Sequence, residues 1–155
     1  MGWMFNYSAK VPNLSCGDNS TIRMDPDNVP QPDCYLRIDS ERDGQSRLED
    51  GYVVGAPELI AEVAASSVSY DLHDKFRACQ RNAVGEYSVW RTRDQAIDWF
   101  VLRNGRYELM KPDDDGILRS ENFPGLWLDP QAMINNDLPR VMAVLEQGLK
   151  SASSA

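Results

Sequence analysis

Glu62 stands inside the apolar run Leu59-Ile60-Ala61-Glu62-Val63-Ala64, a setting in which a carboxylate is costly. A strand buried on both faces is built from Val, Ile and Leu, and Glu is almost never fully buried unless its charge is compensated. The compensation is a cation, and two are on offer: a bound metal ion, or Lys75 on the helix that Ser66 to Asp71 begins. A second acid stands upstream, where Pro32-Asp33 opens the short strand Cys34-Tyr35-Leu36-Arg37-Ile38. An acid ahead of one strand, an acid inside the next and a lysine after it suit metal-dependent phosphodiester chemistry. Hard divalent ions take oxygen ligands, and an ammonium group can stabilise charge developing on a phosphoryl group. Each residue has a plainer reading beside this one. Glu62 can form a structural ion pair with Lys75 or an arginine, and Asp33 can be a turn residue that starts a strand after proline. Lys75, four residues after Asp71, can be a solvated helix position. Gln31 and Asp71 are candidate supporting residues around the same acids.

The elements that must position these residues can be read from pattern. Met1 to Tyr7 is apolar enough for a short helix, Asn13 to Asn19 is rich in turn formers, and Thr21 to Met24 alternates as a strand. Three prolines between Asp25 and Pro32 make a loop. Asp39 to Gly55 is polar and glycine-rich, with a short strand at Gly51 to Val54, and links two antiparallel core strands. A helix follows Glu62, capped by Ser66, Ser67 or Ser69, with Leu72, Phe76, Cys79 and Ala83 as its apolar stripe and an end near Asn82. Tyr87 to Trp90 is a strand. Ile97 to Leu102 and Tyr107 to Met110 form a hairpin around Asn104-Gly105, a strong short-range turn signal. Leu126 to Leu128 is a brief strand. Pro130 to Leu149 reads as one helix capped by Asp129, with Leu138, Val141, Met142, Leu145 and Leu149 at helical spacing, and residues 151–155 as a frayed tail.

With 155 residues, 42% of them hydrophobic and 9% aromatic, the chain fits a single domain, with no internal repeat. No run of eighteen apolar residues and no charged segment followed by an apolar one suggests a membrane span or signal peptide, so the expected location is cytoplasmic. Cys16, Cys34 and Cys79 match neither a disulfide framework nor a zinc site and read as reduced core thiols. A net charge of −8 counts against non-specific nucleic-acid binding. Twelve of the sixteen basic residues are arginine, however, the better bidentate phosphate ligand, so a local basic groove can survive a negative total. His73, the lone histidine, forms no metal set and reads as exposed. Trp90, Trp99, Phe100 and Trp127 read as core or interface residues, and an aromatic excess near Trp90 to Phe100 leads to the expectation of a homodimer. Asp113-Asp114-Asp115-Gly116 starts like a calcium loop but lacks the later glutamate and reads as a turn.

Gln31-Pro32-Asp33, Gly55-Ala56-Pro57-Glu58-Leu59-Ile60-Ala61-Glu62-Val63, Asp71 to Lys75, Gly85-Glu86-Tyr87 and Phe123-Pro124-Gly125-Leu126-Trp127-Leu128 together resemble the Uma2 family of endonucleases, within the PD-(D/E)XK nuclease superfamily. Each motif alone is weak and the ordered series is fairly specific, spanning roughly Thr21 to Leu149. The resemblance implies an α+β fold: a mixed β-sheet flanked by helices, a restriction-endonuclease-like core with an added C-terminal hairpin and helix. It also implies magnesium-dependent hydrolysis of phosphodiester bonds in DNA, with manganese as a substitute and no organic cofactor. Carried over by position, Asp33 is the first acid and Glu62 the second, with the backbone carbonyl of Val63 as a further metal ligand. Ala64 stands where the lysine usually does, and Lys75 on the following helix takes that role. The lead before Asp33 is shorter than in similar proteins, which implies a truncated or internally started chain. The competing expectation is a catalytically inactive homodimeric nucleic-acid-binding or interaction protein on the same fold, in keeping with the acidic charge.

Overall fold

Alternation along the central strands decides which side chains meet which layer. The computed structural model describes residues 2–18, 22–24, 32–50, 52–65 and 70–153, with only the backbone of Asp18, Tyr70, Asp71 and Leu72. Strands β1 (Leu14–Asp18), β3 (Cys34–Ile38), β6 (Leu59–Ala64), β7 (Glu86–Arg91), β8 (Ala96–Arg103) and β9 (Arg106–Leu109) lie side by side in that order. β6 and β7 are parallel and every other neighbouring pair is antiparallel. Parallel neighbours need a crossover, and α2 (Tyr70–Arg81) supplies it. A small three-stranded sheet of β2 (Ile22–Arg23), β5 (Tyr52–Val54) and β4 (Arg47–Glu49) stands beside the main one. The expected α+β architecture, a mixed sheet flanked by helices, is the one observed.

The residues pointing to one face of the main sheet, among them Leu36, Leu59, Trp99 and Val101, pack on α1 (Gly2–Lys10), α3 (Pro130–Ile134), α4 (Leu138–Ser153) and the pair β10 (Leu118–Arg119) and β11 (Trp127–Leu128). Trp3 and Tyr7 anchor α1 here: Trp3 donates to the carbonyl of Trp127 at 3.0 Å and Tyr7 to that of Pro124 at 2.7 Å. The next residues along each strand, Tyr35, Ile60, Tyr87 and Val89, pack with Phe76 and Cys79 of α2. Leu36 and Leu59, each with 0% exposure, contribute on the order of 1.5–3 kcal/mol apiece by leaving water.

Several expectations need correcting. In the lead before Asp33, α1 and β2 stand where a short helix and a strand were expected, but Asn13 to Asn19, read as turn-rich, contains β1. The segment Leu-Ser-Cys-Gly-Asp has weak strand preference, and pairing with β3 imposes its conformation. Gly17 lies opposite Tyr35, whose ring covers the glycine so closely that a Cβ would sit 2.6 Å from it. The single helix expected over Pro130 to Leu149 is two helices. Pro139 has no N–H to donate to the carbonyl four residues back, and Asn136 turns the chain with φ 59°. Leu138, assigned to the apolar stripe, is 52% exposed as a result. Asp129 caps α3 as expected, accepting from the N–H of Ala132 at 3.1 Å. α4 continues through Ser153, into the tail expected to fray, because its last turns pack against Gly125. In α2, buried Cys79 and half-buried Phe76 lie on the stripe, whereas Ala83 is exposed at φ 63° and Val84 is buried in its place. The hairpin is as expected, with φ 53° at Asn104 and 80° at Gly105 making the turn. Thr21, the loop 25–31 with Gln31, Gly51 and the capping candidates Ser66, Ser67 and Ser69 lie outside the described residues, as does the side chain of Asp71.

Candidate active site

Three carboxylates are buried among the described residues, and their surroundings differ. Glu58 accepts backbone N–H groups of Ile38 at 2.8 Å and Gln45 at 2.9 Å, so it braces the polar connection against β3. Glu86 accepts the hydroxyl of Ser120 at 2.6 Å and the N–H of Glu121 at 2.9 Å. These neutral donors satisfy a carboxylate and make both residues structural brackets. Glu62 is 6% exposed, yet among the described residues its polar contacts are another acid and an ammonium group.

The sheet register explains how the acids meet. Cys34 of β3 pairs with Ala61 of β6, and one more step of the same register sets Asp33 across from Glu62. Both then point to the α2 face, where the Asp33 charge adds to the rise of the Glu62 pKa. The Oδ2 of Asp33 also accepts the backbone N–H of Val63 at 2.6 Å, which ties the start of β3 to the residue after Glu62. Lys75, on the second turn of α2, brings its Nζ to 3.4 Å from the Oε2 of Glu62. Its side chain remains 38% exposed, so the cluster reaches solvent from the lysine side. The structure therefore brings together Asp33, Glu62, Val63 and Lys75. His73 is exposed on α2, as the sequence led one to expect.

Electrostatically, the cluster is short of positive charge. Burial, opposed by Lys75 and reinforced by Asp33, pushes the Glu62 carboxyl from 4.5 up to about 7. Burial, with the Glu62 charge adding to it, likewise pushes the Cys79 thiol up to about 12, leaving it an inert core thiol. Cys34 is pushed up to about 11, mainly by burial. Two adjacent carboxyl groups form a donor set of hard oxygens, and a divalent cation would compensate the buried charge of Glu62 and offset the Asp33 charge that adds to its rise. Among the described residues no group of three or more His, Cys, Asp or Glu side chains is placed to hold a metal ion by itself. Magnesium is commonly held by one or two carboxylates and completes its shell with water and substrate oxygens, a donor set of the kind Asp33 and Glu62 offer.

Tyr87, Val89 and Asp98 were not among the site residues that sequence pointed to. Val89 and Asp98 continue the row of the acids, since Glu62 pairs with Val89 in β7 and Val89 with Asp98 in β8, while Tyr87 stands on the same face across from Ile60. The alternation of Tyr87-Ser88-Val89-Trp90 carried the signal, since it fixes the shared face of Tyr87 and Val89; the register that sets Val89 across from Glu62 is non-local.

Among known proteins, the model of the Uma2 family, described as a putative restriction endonuclease, matches residues 3–131. That span takes in α1 and ends within α3, whereas the sequence resemblance ran from Thr21 to Leu149. A crystal structure of a putative nuclease belonging to DUF820 from Anabaena variabilis is similar in fold, with a TM-score of 0.59 and 13% identity over 79% of this chain and 68% of that one. No curated protein matches the chain.

Proposed function

The chain belongs to the Uma2 family, described as a putative restriction endonuclease, and on that premise we propose that it hydrolyses phosphodiester bonds in DNA with magnesium, or manganese in its place, held by Asp33 and Glu62. The observation that carries this reading is the contrast among the buried carboxylates: Glu62 alone faces a second carboxylate and a lysine instead of satisfied backbone donors. The Val63 carbonyl would join Asp33 and Glu62 as a ligand. Magnesium bound there would neutralise charge on the phosphoryl oxygens and make a water molecule more acidic. The chain's own groups have distinct tasks. Asp33 is fixed by the N–H of Val63, so its second oxygen stays available beside Glu62. Lys75, an ammonium group paired with Glu62, orients the attacking water or stabilises the charge developing on phosphorus, from the solvent-open side.

Incubation of the purified protein with supercoiled plasmid and magnesium tests this. Nicking is expected, and Glu62→Ala and Lys75→Ala should each lower it at least about a hundredfold, as loss of a group used in proton transfer or charge stabilisation does. Absence of nicking, or nicking that persists in Glu62→Ala, would remove the proposal. The second reading, an inactive homodimeric binding protein, draws on the direct Lys75–Glu62 ion pair, which compensates the buried charge without a metal. Magnesium titration by calorimetry separates the two: heat that disappears in Asp33→Asn belongs to the enzyme, and no heat in either protein to the inactive relative. Light scattering checks the expected dimer.

A further inference from the structure

One strand beyond Glu62, on the same face, a cavity of about 260 Å³ opens between α2 and strands β7 and β8. Aromatic rings dominate its lining: Phe76 from α2, Tyr87 from β7 and Phe100 from β8. Phe76 meets Phe100 edge-on at 5.0 Å between ring centres and Tyr87 at 6.1 Å. Polar groups of His73, Arg91 and Asp98 complete the wall. Arg91 is held in place by Asp98 at 2.8 Å and Asp94 at 2.7 Å, so its flat guanidinium is oriented in advance. Tyr87 is 0% exposed and its hydroxyl has no hydrogen-bond partner among the described residues, which is costly for a buried polar group. By contrast, the neighbouring Tyr107 hydroxyl donates to the carbonyl of Val84 at 2.6 Å.

The cavity lies in register with the acids. Glu62, Val89 and Asp98 stand directly across from one another on three successive strands. Strands are spaced about 4.8 Å apart, so Val89 lies about 5 Å and Asp98 about 10 Å along the sheet from Glu62. That is the reach of one nucleotide from its phosphate to its base. We propose that this cleft receives the unstacked nucleobase of the nucleotide whose phosphate lies at Asp33 and Glu62, an assignment that rests on the phosphodiesterase reading above.

The chemistry of the lining fits that occupant. Each base has a π-face that aromatic rings accept whatever the sequence, and a polar edge that needs donors and acceptors. Asp98 offers an acceptor for an exocyclic amino group, and Arg91 and His73 offer donors. A purely apolar guest would not use the Arg91–Asp98 pair. The volume lies just below the range of about 300–1,000 Å³ for drug-sized pockets, which suits one planar ring system. A base reaches the cleft only after leaving the helical stack, so single-stranded, mispaired or distorted DNA is the favoured substrate.

The full-length protein in magnesium is titrated with deoxyadenosine 5′-monophosphate and, separately, with 2-deoxyribose 5-phosphate, which lacks the base. NMR follows the ring signals of Phe76, Tyr87 and Phe100. The nucleotide should bind about tenfold or more tightly than the sugar phosphate, the increment expected from one base stacked on aromatic rings, and should alone shift those signals. Phe100→Leu, which keeps an apolar side chain but removes the ring, should bring the two affinities together; Asp98→Asn, at the rim, should change which base binds best. Equal affinity for the two ligands in the native protein, no binding of either, or nucleotide binding that leaves the three rings unmoved overturns the assignment, with no variant needed. Plasmid nicking keeps the two proposals apart: nicking without a base contribution removes the cleft and leaves the nuclease, and a base contribution without nicking does the reverse.

Discussion

Glu62 is the residue at which burial, charge and chemistry conflict, and its titration makes the conflict measurable. Its carboxyl binds a proton more tightly in the folded chain, near pH 7, than in the unfolded chain, near 4.5. A raised folded value contributes stability that is fully present below 4.5 and lost as pH rises through about 7. At about 1.36 kcal/mol per pH unit, ionising Glu62 costs the metal-free protein on the order of 3 kcal/mol at pH 8. Glu62→Gln removes that titration. In EDTA, its urea-unfolding free energy relative to the native sequence should therefore rise by about 2–3 kcal/mol between pH 4.5 and pH 8, and a difference independent of pH would refute the assignment. Magnesium at pH 8 should stabilise the native sequence and leave the variant unchanged. Glu62 was legible in the sequence because an acid inside Leu-Ile-Ala-Glu-Val is anomalous whatever surrounds it. Lys75 was legible through its place on the helix after that strand. The aromatic cleft was not: Phe76, Tyr87 and Phe100 each look like ordinary core residues, and only the non-local pairing of β6, β7 and β8, which sets Tyr87 and Phe100 across from Ile60, and the packing of α2 bring them beside Glu62.

Among the elements, local signals predicted best where local rules suffice. Asn104-Gly105 fixed its hairpin by the need for two positive φ angles, and Asp129 capped its helix. β1 was missed because Leu14 to Asp18 is a strand only through pairing with β3, and the break before α4 was missed because the apolar spacing continues across Pro139. α4 itself owes its seat to a close approach. Gly148 lies against Gly125 and Trp127, where an added Cβ would sit 2.2 Å from the Gly125 carbonyl oxygen and 2.7 Å from the indole. Neither the backbone nor the ring, which carries Arg119 over its face at 4.2 Å, can yield cheaply. Gly148→Ala is expected to destabilise the protein by about 1–3 kcal/mol, the usual cost of overpacking, even though alanine is the better helix former by about 1 kcal/mol in isolation. In thermal denaturation that is a fall of roughly 2–4 °C per kcal/mol. Nicking below the transition should persist, because this contact is on the face of the sheet opposite the acids. An unchanged or raised melting temperature would mean that α4 is not held this closely.

For the molecule as a whole, the two faces of the sheet divide the work. α1, α3, α4 and the β10–β11 pair cover the larger apolar cluster, while the other face carries α2, the acids and the aromatic cleft. The charge is distributed against DNA binding overall: 24 acidic residues face 16 basic ones. A protein of this balance cannot rely on the release of many counterions, which dominates the affinity of basic DNA binders. Among the described residues Lys75 is the cation paired with the acids, and Arg91 is already engaged by Asp94 and Asp98. If about three phosphates are neutralised, log K should fall with log salt with a slope of roughly −2 to −3, so raising the salt from about 50 to 200 mM would weaken binding only by tens-fold. A binder making about 6–10 phosphate contacts loses roughly 10³–10⁵ over the same interval. Fluorescence anisotropy of a labelled single strand in magnesium, repeated across that range, decides between them. A steep slope would place the affinity in a basic track elsewhere on the surface. A shallow slope, with affinity dependent on magnesium and on the presence of bases, would mean that the acid pair and the neighbouring cleft hold the strand, and that recognition begins with one phosphate and one base.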